Sequence, residues 1–182
     1  MKYNPDTHHR CSIRLKSYDY SQEGLYFITI CIQNRLCLFG NIKDDEMNLN
    51  DAGQMIETQW LDLTQRFTGI DFGECIVMPN HFHGIIKIVG APLVGAQNVG
   101  QPQPGQPQEI APTVGNIIGV FKSITTNEYI RGVKRNHWPR FDKKLWQRNY
   151  YEHIIRDEKS YLNISEYIKT NPAKWQDDAY YE

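Results

Sequence analysis

The chain has 182 residues, of which 40% are hydrophobic and 23% are charged, a composition that excludes global disorder and predicts one folded domain. No stretch approaches the roughly 20 apolar residues of a spanning helix, and residues 1–10 lack the apolar core of a signal peptide, so neither a membrane nor a secreted protein is expected. The net charge of −1 argues against a nucleic-acid-binding protein, unless the charge is unevenly distributed. Four cysteines without a Cys-x-x-Cys pair suit a reducing cytoplasm.

Strand and helix patterns alternate in the first half of the chain. Residues 25–37 are rich in β-branched and aromatic residues and predict a central strand. Residues 48–67 have apolar residues at helical spacing, and Asn50 or Asp51 is a suitable N-cap. Two further strands, divided by a Pro-Asn pair, are predicted over 71–78 and 81–89.

A segment of different composition follows at about 90–115. It contains five of the nine prolines, with repeated Gln-Pro and Gly, and nothing in it can form a packed core. We interpret it as a flexible or extended insertion in a single domain spanning 1–182, either a tolerated surface loop or a functional tether.

The helical spacing resumes at 116–130, and a strand is predicted over 145–155. Asp157 is an N-cap for a last helix that reaches about Thr170, with Pro172 as its stop. This order of elements predicts an α+β fold of the ferredoxin-like, split βαβ type: an antiparallel sheet with helices on one face.

Two histidines one residue apart are the first candidate site. In the segment MPNHFHG, His81 and His83 point to the same face of a strand because side chains alternate with period two. Two neighbouring imidazoles can bind one divalent cation through neutral nitrogens. The alternative is a pair of partly buried histidines that hydrogen-bond to the backbone.

The last predicted helix carries the second candidate site. Tyr167 and Asn171 are four residues apart and therefore lie on one helical face. The alternatives are ordinary ones, since the chain has eleven tyrosines that can pack as amphipathic residues, and asparagine is a common residue at a helix C-terminus.

The third candidate is a basic segment, residues 131–148, with a local charge of +6 that leaves −7 for the rest of the chain. Residues 1–16 add a smaller basic excess. Cations that neutralise phosphates, interleaved with aromatic rings such as Trp138, suit single-stranded nucleic acid; the alternative is a solvated loop whose aromatics turn into the core. The basic candidates for DNA contact are Arg131, Lys134, Arg135, Arg140, Lys143, Lys144 and Arg148, with Lys122 in the preceding helix.

Together these segments resemble one known family. MPNHFHGIIKI resembles the His-hydrophobic-His (HUH) motif of the IS200/IS605-type Y1 transposases, and of their REP-associated tyrosine transposase branch in particular. The segments VGNIIGVFKSITTNEYI, LWQRNYYEHIIRDE and YIKTNPAKW resemble other parts of the same family in the same order. The match covers nearly the whole chain outside the insertion.

The resemblance implies a metal-dependent enzyme that nicks and rejoins single-stranded DNA near hairpins through a 5′-phosphotyrosine intermediate. It implies His81, His83 and Asn171 as ligands of Mg²⁺ or Mn²⁺ and Tyr167 as the nucleophile. Relatives act as dimers or as monomers, so a homodimer is possible here. Tyr150 and Tyr151 are rivals to Tyr167.

Three alternatives stay open at this point. A domesticated, non-catalytic protein of the same fold would bind DNA or RNA hairpins without cutting them. A replication-initiation or relaxase-type HUH nuclease is a further possibility, although such chains are usually larger. His153 is expected to make a local structural hydrogen bond, with metal ligation as the alternative.

Overall fold

The structure is a computed structural model that describes residues 22–89 and 112–181. The N-terminal basic excess and the insertion up to residue 111 lie outside these ranges. In the described ranges no helix has both the length and the apolar character needed to cross a membrane. The strands and helices are β1 (Gly24–Cys31), β2 (Gly40–Lys43), β3 (Glu46–Leu49), α1 (Asp51–Leu61), β4 (Ile70–Val77), β5 (His81–Ile88), α2 (Val114–Arg135), β6 (Tyr151–Ile155) and α3 (Glu158–Thr170).

Four strands form the main sheet in the order β4-β5-β1-β6, and every neighbouring pair is antiparallel. The helix α1 lies between β1 and β4 in the chain, and α2 lies between β5 and β6. Each helix therefore joins two parallel strands that are separated by one antiparallel strand, which gives two interleaved split βαβ units. The predicted α+β fold of ferredoxin-like type is confirmed.

Strand β1 is buried on both faces because apolar side chains occupy nearly all of it. Tyr26 and Ile28 on one face pack in the large core with residues of α1 and α2, including Trp60 and Phe121. Phe27 on the other face packs in a smaller core with α3. A central strand that is apolar on both faces needs cover on both.

The position of α3 corrects one detail of the prediction. The helices were expected on one face of the sheet, and α1 and α2 do share a face. The helix α3 packs on the opposite face, where Ile164 and Ile168 meet Phe27 and Ile85. The amphipathic stripe of α3 thereby covers the face of β5 that also carries the paired histidines.

The predicted boundaries hold best where a cap is present. Asn50 caps α1 by accepting a hydrogen bond from the Gly53 N–H at 2.9 Å, and Asp157 caps α3 through the Ser160 N–H at 2.7 Å. The helix α2 is longer than predicted and is capped by Thr113.

Two predicted strands are shorter than expected. The strand predicted over 25–37 ends at Cys31, and a hairpin, β2–β3, occupies residues before α1 that were not predicted as strands. Its turn at Asp44 and Asp45 has φ values of 53° and 61°, the left-handed conformation of a tight hairpin turn, which aspartate tolerates. The strand predicted over 145–155 is regular only over Tyr151–Ile155.

The packing of α2 gives a testable prediction. Gly132 lies against the indole of Trp138, where an added Cβ would overlap the ring. Gly132→Ala should therefore destabilise the protein by about 1–3 kcal/mol. Gly119 lies on the same helix with no heavy atom within 4 Å of an added Cβ, so Gly119→Ala should stabilise by about 0.5–1 kcal/mol. Urea denaturation of both variants measures the two changes, and effects of the same sign would contradict this packing.

Candidate functional site

The paired histidines lie on β5, a strand between β1 and β4 in the sheet. Strand alternation turns both side chains toward the α3 face, and both are fully buried, with 0% and 1% of His81 and His83 exposed. Their Nε2 atoms are 2.9 Å apart. The predicted pair is therefore one compact feature and not two independent core residues.

The hydrogen bonds of Asn80 set the tautomer of His81. The Asn80 amide nitrogen donates to the carbonyls of Arg35 and Tyr180, at 3.2 and 2.8 Å, which leaves its oxygen to accept from His81 Nδ1 at 2.9 Å. Because an amide oxygen only accepts, His81 carries its proton on Nδ1. Its Nε2 lone pair then points toward His83.

The second histidine has a comparable partner behind it. His83 Nδ1 lies 2.9 Å from the hydroxyl of Thr29, on the adjacent strand β1. Burial lowers the pKa of His81 to about 3 and that of His83 well below its usual value. Both rings are therefore neutral at physiological pH, which is the form that binds metals.

An acidic residue completes the cluster. Atoms of His81, His83 and Asp178 that could act as ligands all lie within 4.8 Å of one another. Asp178 follows a short 3₁₀ turn, Pro172–Asp177, after α3. The sequence predicts no role for this residue, since nothing in its spacing or neighbours marks one acid in a polar terminal segment as part of a site.

Asn171 is buried beside this carboxylate. Its amide nitrogen donates to Asp178 Oδ2 at 2.8 Å, while its Oδ1 is buried with no hydrogen-bond partner in the described structure. An unsatisfied buried oxygen is costly, so a cation or a water at this point would stabilise it. The predicted role of Asn171 as a ligand stays a prediction, and its observed contact orients Asp178.

Tyr167 lies one helical turn before Asn171 on α3, as the spacing predicts. Its hydroxyl is 3.3 Å from His83 Nε2, and 38% of the residue is exposed. Burial, with the nearby Asp178 carboxylate as a smaller cause, raises the pKa of Tyr167 to about 12. The phenol is therefore protonated at neutral pH and needs help to become a nucleophile.

The rival tyrosines are placed differently. Tyr150 lies beneath the Lys122 ammonium, 5.4 Å from the ring centroid. Tyr151 is half exposed on β6, with its ring 6.5 Å from Phe27. The ring of Tyr167 lies 5.3 Å from that of His83. His153 is exposed on β6 and is not part of the His81–His83–Asp178 cluster.

Two aromatic side chains cover the histidine pair from the C-terminal side. Trp175 stacks on His81 with centroids 5.9 Å apart and an interplanar angle of 29°. The ring of Tyr180 lies 4.7 Å from His81, and the guanidinium of Arg35 lies over Tyr180 at 5.8 Å. This cover accounts for the complete burial of His81.

The donor set fits a divalent cation. Two ligands at about 2.1 Å from a metal ion and at right angles lie about 3 Å apart, close to the 2.9 Å between the imidazole nitrogens. A cation would also bind the His81 Nε2 lone pair, which otherwise points at His83 Nε2. Two imidazoles and a carboxylate form a mixed nitrogen and oxygen donor set for a divalent cation, with further positions left for oxygen ligands.

The aromatic residues of the basic segment pack inward. Trp138 and Phe141 both pack against Tyr129, with centroid distances of 5.2 and 5.7 Å, and the indole of buried Trp146 donates to Thr125 at 2.8 Å. The rings thus follow the packing alternative, and a stacking role for Trp138 on bases stays a prediction.

The cations of the segment divide into two groups. Arg131, Lys134 and Arg135 belong to the end of α2, where Arg131 pairs with Glu128. Lys143, Lys144 and Arg148 lie beyond it in an irregular stretch and are exposed. Arg140, between the groups, is also exposed.

Lys122 is an exception among the predicted DNA contacts. Its ammonium donates to the carbonyls of residues 147, 148 and 149, and burial lowers its pKa to about 8. This contact holds the stretch before β6 against α2, which explains why the predicted strand is irregular there.

Known proteins resemble this chain in sequence. No protein-family model matches the chain. An uncharacterized protein of Haemophilus influenzae is 44% identical over 185 residues, covering 99% of this chain and 97% of the relative. A second protein of that organism, named "Putative REP-associated tyrosine transposase", is 24% identical, covering 86% of this chain and 74% of the relative.

A solved structure shares the fold. It is described as a REP-associated tyrosine transposase bound to a REP hairpin, with a TM-score of 0.56, 19% identity and coverage of 90% of this chain and 74% of that one. The chain therefore shares its fold with this solved transposase and resembles the "Putative REP-associated tyrosine transposase" in sequence.

The cluster gives a prediction for metal binding. Asp178→Asn removes the carboxylate that the described structure places with both imidazoles, so Mn²⁺ affinity, measured by isothermal titration calorimetry, should fall at least about 10-fold. Asp177→Asn makes the same change at the adjacent exposed position and should leave the affinity unchanged. Equal affinities of the two variants would remove Asp178 from the site.

Proposed function

We propose that this protein is a metal-dependent enzyme that nicks single-stranded DNA and rejoins or transfers the strand, with Tyr167 as its nucleophile. The observation that carries the proposal is the hydroxyl of Tyr167 at 3.3 Å from His83 Nε2, beside a second imidazole and a carboxylate. Similarity to tyrosine transposases supports a transposase-like function. The reaction and the residues that carry it out are what we propose in addition.

His81, His83 and Asp178 would hold the cation, with Asn171 beside them. When bound, a divalent ion neutralises charge on the scissile phosphate and orients it. Asn80 holds the His81 imidazole in the tautomer that leaves Nε2 free, and the Thr29 hydroxyl orients the His83 ring through Nδ1. The surrounding apolar and aromatic side chains exclude water, which strengthens each electrostatic contact in the site.

Tyr167 then attacks the phosphorus in line. The bond between the tyrosine oxygen and phosphorus forms, the bond from phosphorus to the 3′ oxygen breaks, and the DNA is left with a 5′-phosphotyrosine and a free 3′-OH. The phenolic proton leaves to solvent or to a neighbouring base, and the 3′ oxygen takes up one proton. The phosphotyrosine bond conserves the energy of the phosphodiester, so a 3′-OH can reverse the reaction without a nucleotide cofactor.

The proposed partner is hairpin-forming single-stranded DNA. A structural neighbour of this chain is a transposase bound to a REP hairpin, and the exposed cations of residues 131–148 provide contacts for phosphates. A cytoplasmic location and action as a monomer or homodimer stay predictions from the sequence.

The proposal is tested with the full chain and a pool of single-stranded oligonucleotides that carry a hairpin and varied flanks. With Mn²⁺ or Mg²⁺ we expect a covalent protein–DNA adduct on denaturing gels, mapped to Tyr167 by mass spectrometry. Chelation of the metal should abolish it. Tyr167→Phe removes the nucleophile and should lower the adduct to background, whereas Tyr151→Phe changes an exposed tyrosine of neighbouring β6 and should retain it.

Two results would overturn the enzyme assignment. One is an adduct that survives Tyr167→Phe. The other is tight hairpin binding without any adduct over the whole pool and both metals, which would favour the non-catalytic binding protein of the same fold.

A further inference from the structure

A depression lies beside the basic stretch that follows α2. Its volume is about 370 Å³. One wall is the side of α2 with Ser123, Thr126 and Asn127, and the other is the stretch from Lys143 to Arg148. The volume is in the range of small-ligand clefts, which begin near 300 Å³, so one nucleotide is an appropriate occupant.

Among the described residues the lining is basic and carries no acid, although Lys143 lies 3.9 Å from the adjacent Asp142 carboxylate. Lys143, Lys144 and Arg148 are exposed at it, together with the half-buried Lys122. The side chains of Asn127 and Gln147 add amide donors and acceptors. Cations bind phosphates, and amides can hydrogen-bond to the edges of a base that is not paired.

The floor of the depression is rigid. Trp146 is buried and bonded to Thr125 of α2, and Lys122 fixes the carbonyls at 147–149. Because the indole of Trp146 is buried, a base in this depression would be recognised by hydrogen bonds and not by stacking on that ring.

The depression is connected to the histidine site through the sheet. The N–H of Gln147 donates to the carbonyl of Cys31 at 2.9 Å, and Cys31 pairs with His81 across β1 and β5. Two strand spacings separate residue 147 from His81, about 10 Å. At the rise of a duplex strand, 3.4 Å per nucleotide, about three nucleotides span this distance.

The two sites open on opposite faces of the sheet. The histidines face α3, while the depression lies against α2. The stretch from residue 145 to 148 lies at the edge between them, beside the end of β1. A flexible single strand can pass round such an edge, whereas a stiff duplex cannot.

We propose that this depression is a nucleotide-binding subsite for single-stranded DNA that flanks the phosphate cleaved at Tyr167. The inference rests on the proposed function, since it assumes a DNA substrate at the histidine site. It separates Lys143, Lys144 and Arg148, which contact the bound strand, from Lys134 and Arg135, which do not line the depression.

Binding is measured in the full chain carrying Tyr167→Phe, so that failure of cleavage does not affect the result. The probe is fluorescein-labelled (dT)12, and fluorescence anisotropy is followed over a salt series. Lys143→Gln with Lys144→Gln should weaken binding about 10-fold at low salt and reduce the salt slope by about 1.4, the value for two single-strand phosphates. The control, Lys43→Gln with Arg66→Gln, removes the same charge at exposed positions outside residues 131–148 and should change the affinity less than about 3-fold.

A second pair of variants leaves the charge unchanged. Asn127→Trp fills the depression from an exposed position of α2, and Asn116→Trp makes the same change three turns earlier on that helix, also at an exposed position. The first should lower (dT)12 affinity and the second should not. Thermal unfolding confirms that each variant folds.

Three results would overturn the proposal. These are equal losses for the two charge pairs, unchanged affinity for Asn127→Trp, and an equal loss of affinity for a 12-base-pair duplex probe. The proposed reaction at Tyr167 would survive each of them, because it is tested by adduct formation. Conversely, normal subsite binding without an adduct would contradict only the reaction.

Discussion

The close approach of two buried imidazoles is the constraint on which the site depends. Two neutral rings with Nε2 atoms 2.9 Å apart share one proton or one cation between them, because two facing lone pairs repel. Asn80 fixes the proton of His81 on the far nitrogen. The ordinary hydrogen bonds of the turn before β5 thus leave a lone pair inside a dry cluster, where a cation is the most effective partner.

Both faces of the sheet must be covered for this cluster to be buried. β5 presents Phe82 and Ile86 to the core beneath α1 and α2, and presents the histidines to the other face. That second face is closed by α3, which carries Tyr167 and packs through Ile168. The apolar contact that seats α3 therefore also sets the distance from the tyrosine hydroxyl to His83, and packing and chemistry cannot be varied independently here.

Local periodicity predicted which candidate side chains share a face, whereas the resemblance to the Y1 transposases selected them as a site. Strand alternation places His81 and His83 together, and the four-residue spacing in a helix places Tyr167 and Asn171 on one face. Asp178 could not be found in this way, because its position depends on the path of the chain through a 3₁₀ turn after α3. The face on which α3 packs also could not be predicted from the residues of α3 alone, because it depends on which face of the sheet α1 and α2 leave uncovered.

The distribution of charge on the surface also depends on the fold, and the sequence alone does not give it. A total of −1 conceals a segment of +6, but the segment is not one surface. Its aromatic rings are used in packing, Arg131 is paired with an acid, and the ammonium of Lys122 is bound to backbone carbonyls. The other cations at the edge of the sheet, of which Lys143 lies 3.9 Å from Asp142, line a depression with no acid among its described lining residues, so attraction of a phosphate chain is concentrated there. The same charge spread evenly would bind any polyanion weakly, whereas the clustered charge favours a nucleic-acid strand that reaches the edge of the sheet.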